Sequence, residues 1–196
     1  GILNMINVKI IKEFCNLSNK KLENVFIINS KKHDDSRGWL QETYHLKDFF
    51  DKNINCSFVQ DNLVYSKKNV LRGLHLQTKL PQGKHVSVLK GAIYDVVVDL
   101  RKNSKTFGKC FKIILSEKNS KSLFIPAGFA HGFLSLKKEN IIYYLCTNYR
   151  SAKHEVGILW NDESLKIKWP VKHPLISKKD KKNLKISEFK KIYIKK

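Results

Sequence analysis

The chain has 196 residues, 42% of them hydrophobic, with four cysteines and a formal net charge of +21. That length suits one large domain with a core of its own; no apolar run reaches the roughly 18 residues of a membrane span, and four scattered cysteines exclude a disulfide framework. The charge alone admits any anionic partner, nucleic acid included, but it comes from lysines spread in pairs such as Lys31-Lys32 and Lys67-Lys68, the pattern of a solvated surface. The N-terminal GILNMINVKIIKEF lacks the basic region, apolar stretch and cleavage site of a secretory signal, so a cytoplasmic protein without membrane association is expected. Cys15, Cys56, Cys110 and Cys146 form no Cys-x-x-Cys pair or Cys/His ligand pattern and are expected to be reduced thiols. From Asn24 onward the sequence reads as short β-type runs between turn signals, with a short helix at HLKDFF (45–50). HVSVLKGAIYDVVVDLR is two strands joined at Lys90-Gly91, and FKIIL (111–115), SLFIP (122–126), GFLSL (132–136) and IIYYLCTNY (141–149) follow, separated by polar loops. A second short helix is expected after Ser177. From Lys178 to Lys196 nine lysines face Asp180 and Glu188, and Leu184, Ile186, Phe189, Ile192 and Ile194 predict a packed terminal element. Eight or more strands without βαβ spacing or an internal linker predict an all-β jelly-roll barrel whose interior can hold one small ligand.

Two segments carry residue types that strand packing does not require: VLRGLHLQTKLPQGKHVSV (70–88) and FIPAGFAHGFLSL (124–136). Pro126, Gly128 and His131 have the P-x-G-x-x-H spacing of the second motif of cupins. Where a metal cupin has His-x-His and then Glu, this chain has His75, Gln77, Lys84 and His85. A metal needs neutral or anionic donors and Lys84 places a cation among them, so no metal site is expected. Arg72, His75, Lys84 and His131 make instead a cationic pocket with a titratable base, suited to an anionic ligand and an enolate intermediate. Either histidine alone reads better as a hydrogen-bonded core residue; the combination with Arg72 and Lys84 on strands of one barrel favours chemistry.

The stretches SRGWLQE (36–42), FVQDNLVYSKKNVLRGLHLQ (58–77), QGKHVSVLKGAIYDVVVDLRKNSKTFGK (82–109), LFIPAGFAHGFLSL (123–136), YLCTNY (144–149) and ILWNDESLKIKWP (158–170) closely resemble the dTDP-4-dehydrorhamnose 3,5-epimerase family, in order over about residues 24–182. The resemblance implies a single cupin domain over 1–196, a double-stranded β-helix with short terminal helices and a basic extension at 181–196. It also implies a homodimer with the N-terminal segment exchanged at the interface, a nucleotide-sugar substrate and no cofactor. The general base falls on His75, its partner on Asp180, the enolate stabiliser on Lys84, and the tyrosine facing the base on Tyr144. Arg37 and Glu42 lie in a segment that reaches the nucleotide, the Glu across the dimer. Gln60, Asn62 and Arg72 fall where the nucleotide or its phosphates are contacted, His131 in the substrate pocket, and Tyr149 where the base stacks.

The chemistry agrees. A proton beside a ketone is removable when the enolate oxygen is stabilised as it forms, and inversion then needs an acid on the opposite ring face, for which a phenol is suited. From spacing alone, Ser177 and Asp180 also fit a helix capping box, and Tyr144 fits an apolar strand core. Leu76, Trp39-Leu40 and His85 stand where the family commonly has an aromatic, a Phe pair and an aliphatic residue, and bear on which nucleotide and sugar are used. The alternatives are a single-carbon epimerase or ketoisomerase of a related dTDP- or GDP-sugar, and a non-catalytic cupin binding a nucleotide sugar or nucleic acid. His75, Lys84, Tyr144 and Asp180 together speak against a pure binder, which needs neither base nor acid.

Overall fold

The computed structural model describes residues 6–10 and 25–194. The strands are β1 (Ile6–Ile10), β2 (Phe26–Ser30), β3 (Lys32–Asp35), β4 (Gly38–Gln41), β5 (Gln60–Lys67), β6 (Leu71–Gln77), β7 (Lys84–Lys90), β8 (Ala92–Asp99), β9 (Cys110–Ser116), β10 (Lys121–Ile125), β11 (Phe129–Ser135), β12 (Glu139–Cys146) and β13 (Glu155–Gly157). Helices α1 (Leu46–Asp51) and α2 (Ile186–Phe189) are short, as the sequence predicts. A six-stranded sheet in the order β1-β2-β10-β7-β12-β5 faces a five-stranded sheet in the order β13-β6-β11-β8-β9, with β3 and β4 forming a separate hairpin. All ladders are antiparallel. This is the expected jelly roll.

Alternation along each strand decides what enters the barrel. Val86 and Val88 of β7, Ile93 and Val97 of β8, Phe129 and Phe133 of β11 and Ile142 of β12 point inward and form the central core. The same parity carries Lys84, Asp95, Tyr144 and, on β5, Asn62 inward. The opposite faces are covered as well. Leu74, Leu76, Val96 and Val98 pack outward against Ile158, Leu165 and Phe189, so the C-terminal element packs through Phe189, Ile186 and Ile194, whereas Ile192, expected to pack, is exposed. Phe26, Ile28 and Phe124 pack under Phe49 of α1. His85 points into this outer layer, where its ring stacks on Phe58 at 6.2 Å and its Nε2 meets Ser122 Oγ at 2.9 Å. It is therefore a satisfied packing residue outside the barrel interior, although its neighbour Lys84 is inside.

The hairpin β3–β4 was not legible, because KHDD carries no apolar alternation, and β1 lies ahead of the first expected strand. β1 pairs with β2 of the same chain. Cys56 and Cys146 are free thiols, while Cys15 lies outside the described residues. Among the described residues no helix is long and apolar enough to cross a membrane.

Candidate active site

The barrel opens on a cavity of about 610 Å³ whose wall includes Asn62, Arg72, His75, Lys84, His131, Tyr144 and Asp180. Arg72 and His75 are three residues apart on β6 and would lie on opposite faces of a regular strand. An irregularity brings them together: His131 pairs with His75 and Phe133 with Arg72, so β6 holds one residue more than β11 across this interval. Gly73 takes φ +114°, and a Cβ there would lie 2.6 Å from Gly132 Cα and 2.7 Å from His131 O. The glycines of RGLH and AHG thus let the two backbones touch and turn both side chains into one cavity.

His75 Nε2 lies 2.6 Å from Asp180 Oδ1. An ionised carboxylate only accepts, so the ring holds its proton at Nε2 and leaves the Nδ1 lone pair able to accept a proton. Asp180 Oδ2 accepts from Gly73 N at 3.3 Å, and Asp180 N donates to Ser177 Oγ at 3.0 Å. Ser177 therefore caps the turn, whereas the carboxylate serves His75 instead of completing a capping box. Burial pushes the Asp180 carboxyl up, but the hydrogen bond and charge of His75 with the Gly73 and Ser177 contacts outweigh it, leaving the group below the usual carboxylate range.

On the facing sheet stand Lys84 and Tyr144. Lys84 Nζ makes no hydrogen bond or ion pair with a described residue and lies 6.0 Å from the Tyr144 ring centroid. Enclosure by protein lowers its pKa, partly countered by Cys146, Glu155 and Asp95. Burial raises the Tyr144 pKa, so the phenol keeps its proton at neutral pH. Arg72 is held by Ser66 Oγ at 3.0 Å and Tyr65 O at 3.3 Å, and Gln60 Nε2 donates to Asn62 Oδ1 at 3.1 Å.

His131 Nε2 meets Asp95 Oδ2 at 2.8 Å, with both side chains buried. Asp95 was missed from the sequence; a lone carboxylate inside the apolar run IYDVVVD was the available signal. Glu155, Arg150 and Lys179 also line the cavity and were missed. Gln77, in the place of a metal ligand, is spent on backbone: its amide nitrogen donates to Leu80 O at 2.7 Å and Tyr149 O at 3.1 Å, and its oxygen accepts from Ser151 N at 2.6 Å. It fixes the loop that carries Tyr149, whose own ring is exposed and outside the cavity wall. Arg37 pairs with Asp35 at 2.6 Å at the hairpin tip, and within one chain neither it nor Glu42 reaches the cavity. Glu42 groups with His45 and Asp48 at the start of α1. That cluster, the one with metal-ligand spacing among the described residues, includes neither His75 nor His131.

The profile of the family described as dTDP-4-dehydrorhamnose 3,5-epimerase matches residues 19–188. The dTDP-4-dehydrorhamnose 3,5-epimerase of Methanothermobacter thermautotrophicus is 44% identical over 163 residues, covering 82% of this chain and 88% of that protein. The crystal structure of the Bacillus anthracis dTDP-4-dehydrorhamnose 3,5-epimerase with TDP and PPi bound matches at TM-score 0.84 and 39% identity, over 91% of this chain and 99% of that one. The Legionella pneumophila dTDP-6-deoxy-D-glucose-3,5-epimerase in complex with dTDP-4-keto-L-rhamnose matches at TM-score 0.83 and 38% identity, over 92% and 94%. A profile spanning most of the chain and relatives of this identity agree with the barrel, so the chain belongs to the dTDP-4-dehydrorhamnose 3,5-epimerase family.

Proposed function

We propose that this enzyme converts dTDP-4-dehydro-6-deoxy-D-glucose to dTDP-4-dehydro-L-rhamnose, inverting C3 and C5, with His75 as base and Tyr144 as acid. The observation that carries the reading is their placement: His75, bonded to Asp180 of the turn Asp180–Lys182, stands on one sheet and Tyr144 with Lys84 on the other, across one cavity. His75 Nδ1 takes the proton from the carbon beside the C4 ketone, and the C–H electron pair moves onto the ketone oxygen, where Lys84 stabilises the enolate. Tyr144 then gives its proton to the opposite face of that carbon as the ketone re-forms. Solvent reprotonates the phenolate and accepts the proton held by His75. The sequence is redox-neutral and is repeated at the second carbon. Arg72, Asn62 and Gln60 are the proposed nucleotide and phosphate contacts, Tyr149 the stacking ring, and His131 a contact to the sugar.

The enzyme is proposed to work in the cytoplasm as a homodimer. The hairpin exposes Trp39 and Leu40, and a second copy covering them would bring Arg37 and Glu42 to the neighbouring cavity.

The test is turnover of the substrate in deuterated water, followed by NMR for label and configuration. Wild type is expected to label and invert both carbons. Tyr144→Phe is expected to keep exchanging label while losing most of the inversion, because base and enolate stabiliser remain. Label confined to one carbon would make the chain a single-carbon epimerase, and full inversion by Tyr144→Phe would remove Tyr144 as the acid.

A further inference from the structure

Asp180 sits in a strap outside β6. One end is fixed where Leu175 N donates to Asn69 O at 2.7 Å and Leu71 N to Leu175 O at 2.9 Å. The other is fixed where Leu184 N donates to Gly157 O at 3.0 Å and Leu159 N to Leu184 O at 2.8 Å. Between these anchors Asp180 is flanked by Lys178, Lys179, Lys181 and Lys182, four like charges that repel one another and are drawn to water. Among the described residues Lys179 is the one of the four paired with a carboxylate, that of Glu155.

Glu155 opens β13, the neighbour of β6, where Glu155 pairs with Gln77 and Gly157 with His75. Its carboxylate is largely buried, lines the substrate cavity, and is electrostatically coupled to His75. One oxygen holds Lys179 Nζ, and the other lies 3.5 Å from Arg150 Nε. Burial raises the Glu155 carboxyl, but Lys179, His75 and Arg150 together bring it below the usual range, so it stays ionised. The ion pair therefore joins the strand beside His75 to the residue before Asp180.

The geometry points to Glu155 as a positioning residue, which clamps Lys179 from within the cavity and so holds Asp180 on His75. This rests on the reading of His75 and Asp180 as base and orienter. Glu155 does not touch the reacting atoms; it acts through Asp180. A loosened strap would leave the carboxylate buried near His75 but would let the short Nε2–Oδ1 contact lengthen and the imidazole turn.

The test is a mutant cycle on the full chain with the dTDP-4-keto-6-deoxy sugar, reading kcat and KM. Glu155→Gln is expected to lower kcat roughly tenfold, with KM within about twofold of wild type. In an Asp180→Asn background the same substitution is expected to have almost no further effect, since a residue acting through Asp180 has nothing left to position. Lys179→Met, at an exposed side chain whose loss cannot unfold the barrel, is expected to reproduce the Glu155→Gln loss. Multiplicative losses in the double variant, a raised KM at unchanged kcat, or a silent Lys179→Met would each overturn the inference. Wild-type kcat in Asp180→Asn alone would instead bring down the underlying dyad, and the inference with it.

Discussion

At the scale of single residues, two adjacent side chains of β7 have opposite fates. Lys84 faces the cavity, and His85 is driven into the aromatic layer between Phe49 and Phe58, where burial depresses its pKa to about 4. The unfolded chain has a histidine of ordinary pKa, 6.5, so between pH 6.5 and 4 it binds more protons than the folded one. Folding stability must therefore fall as pH drops through that window, by up to about 3 kcal/mol from this group. His85→Leu removes the titration. It also strands the Ser122 hydroxyl, at a cost of about 1–3 kcal/mol that does not change with pH. Denaturant midpoints measured from pH 7 to pH 4 are expected to drop less steeply in His85→Leu than in wild type. Parallel curves would mean that the folded protein accommodates a charged His85.

At the scale of elements, what the sequence could reveal follows from how local each signal is. Strands β7 to β12 are short, largely apolar runs bounded by turn residues and were readable with boundaries within a few residues. The pairing of His75 with Asp180 spans 105 positions, and no periodicity could have found it; only the resemblance of whole motifs did. The irregularity in β6 was equally hidden, because a strand's alternation carries no mark of where it breaks. Glu155 and Lys179 escaped because each is an ordinary charged residue until the fold brings its partner near, whereas Asp95 was marked by the apolar run around it. The break in β6 is open to test at Gly73. A methyl there must press into the backbone of Gly132 at a φ of +114°, so Gly73→Ala is expected to destabilise the fold by about 2–4 kcal/mol. Any folded fraction is expected to have lost activity, since Arg72 and His75 share a face only through this irregularity. Wild-type stability and turnover in Gly73→Ala would show that the two strands can part without disturbing the site.

At the scale of the whole molecule, the charge of +21 acts on an anionic substrate before any contact forms. Arg72, Lys84, Arg150 and Lys179 line the cavity, and its carboxylates Asp180 and Glu155 are already paired within the protein. The field at the mouth is therefore positive, and the remaining lysines extend it over the surface. A nucleotide diphosphate is attracted from a distance, and salt shortens that reach to about 8 Å at physiological ionic strength. The chemical step takes place inside the cavity between groups in contact and should not sense the salt. Raising ionic strength from about 0.02 M to 0.5 M is thus expected to lower kcat/KM severalfold while kcat stays level. Lys190 and Lys191 follow α2, on the outer side of the five-stranded sheet, away from the cavity. Reversing both to glutamate is expected to flatten the salt dependence slightly without changing kcat, because only the distant field is reduced. Arg72→Met, by contrast, should lower kcat/KM at every salt concentration, since it removes the proposed phosphate contact as well as a charge. A kcat that falls with salt would mean that ions reach the reacting groups, and the cavity would then not exclude them during catalysis.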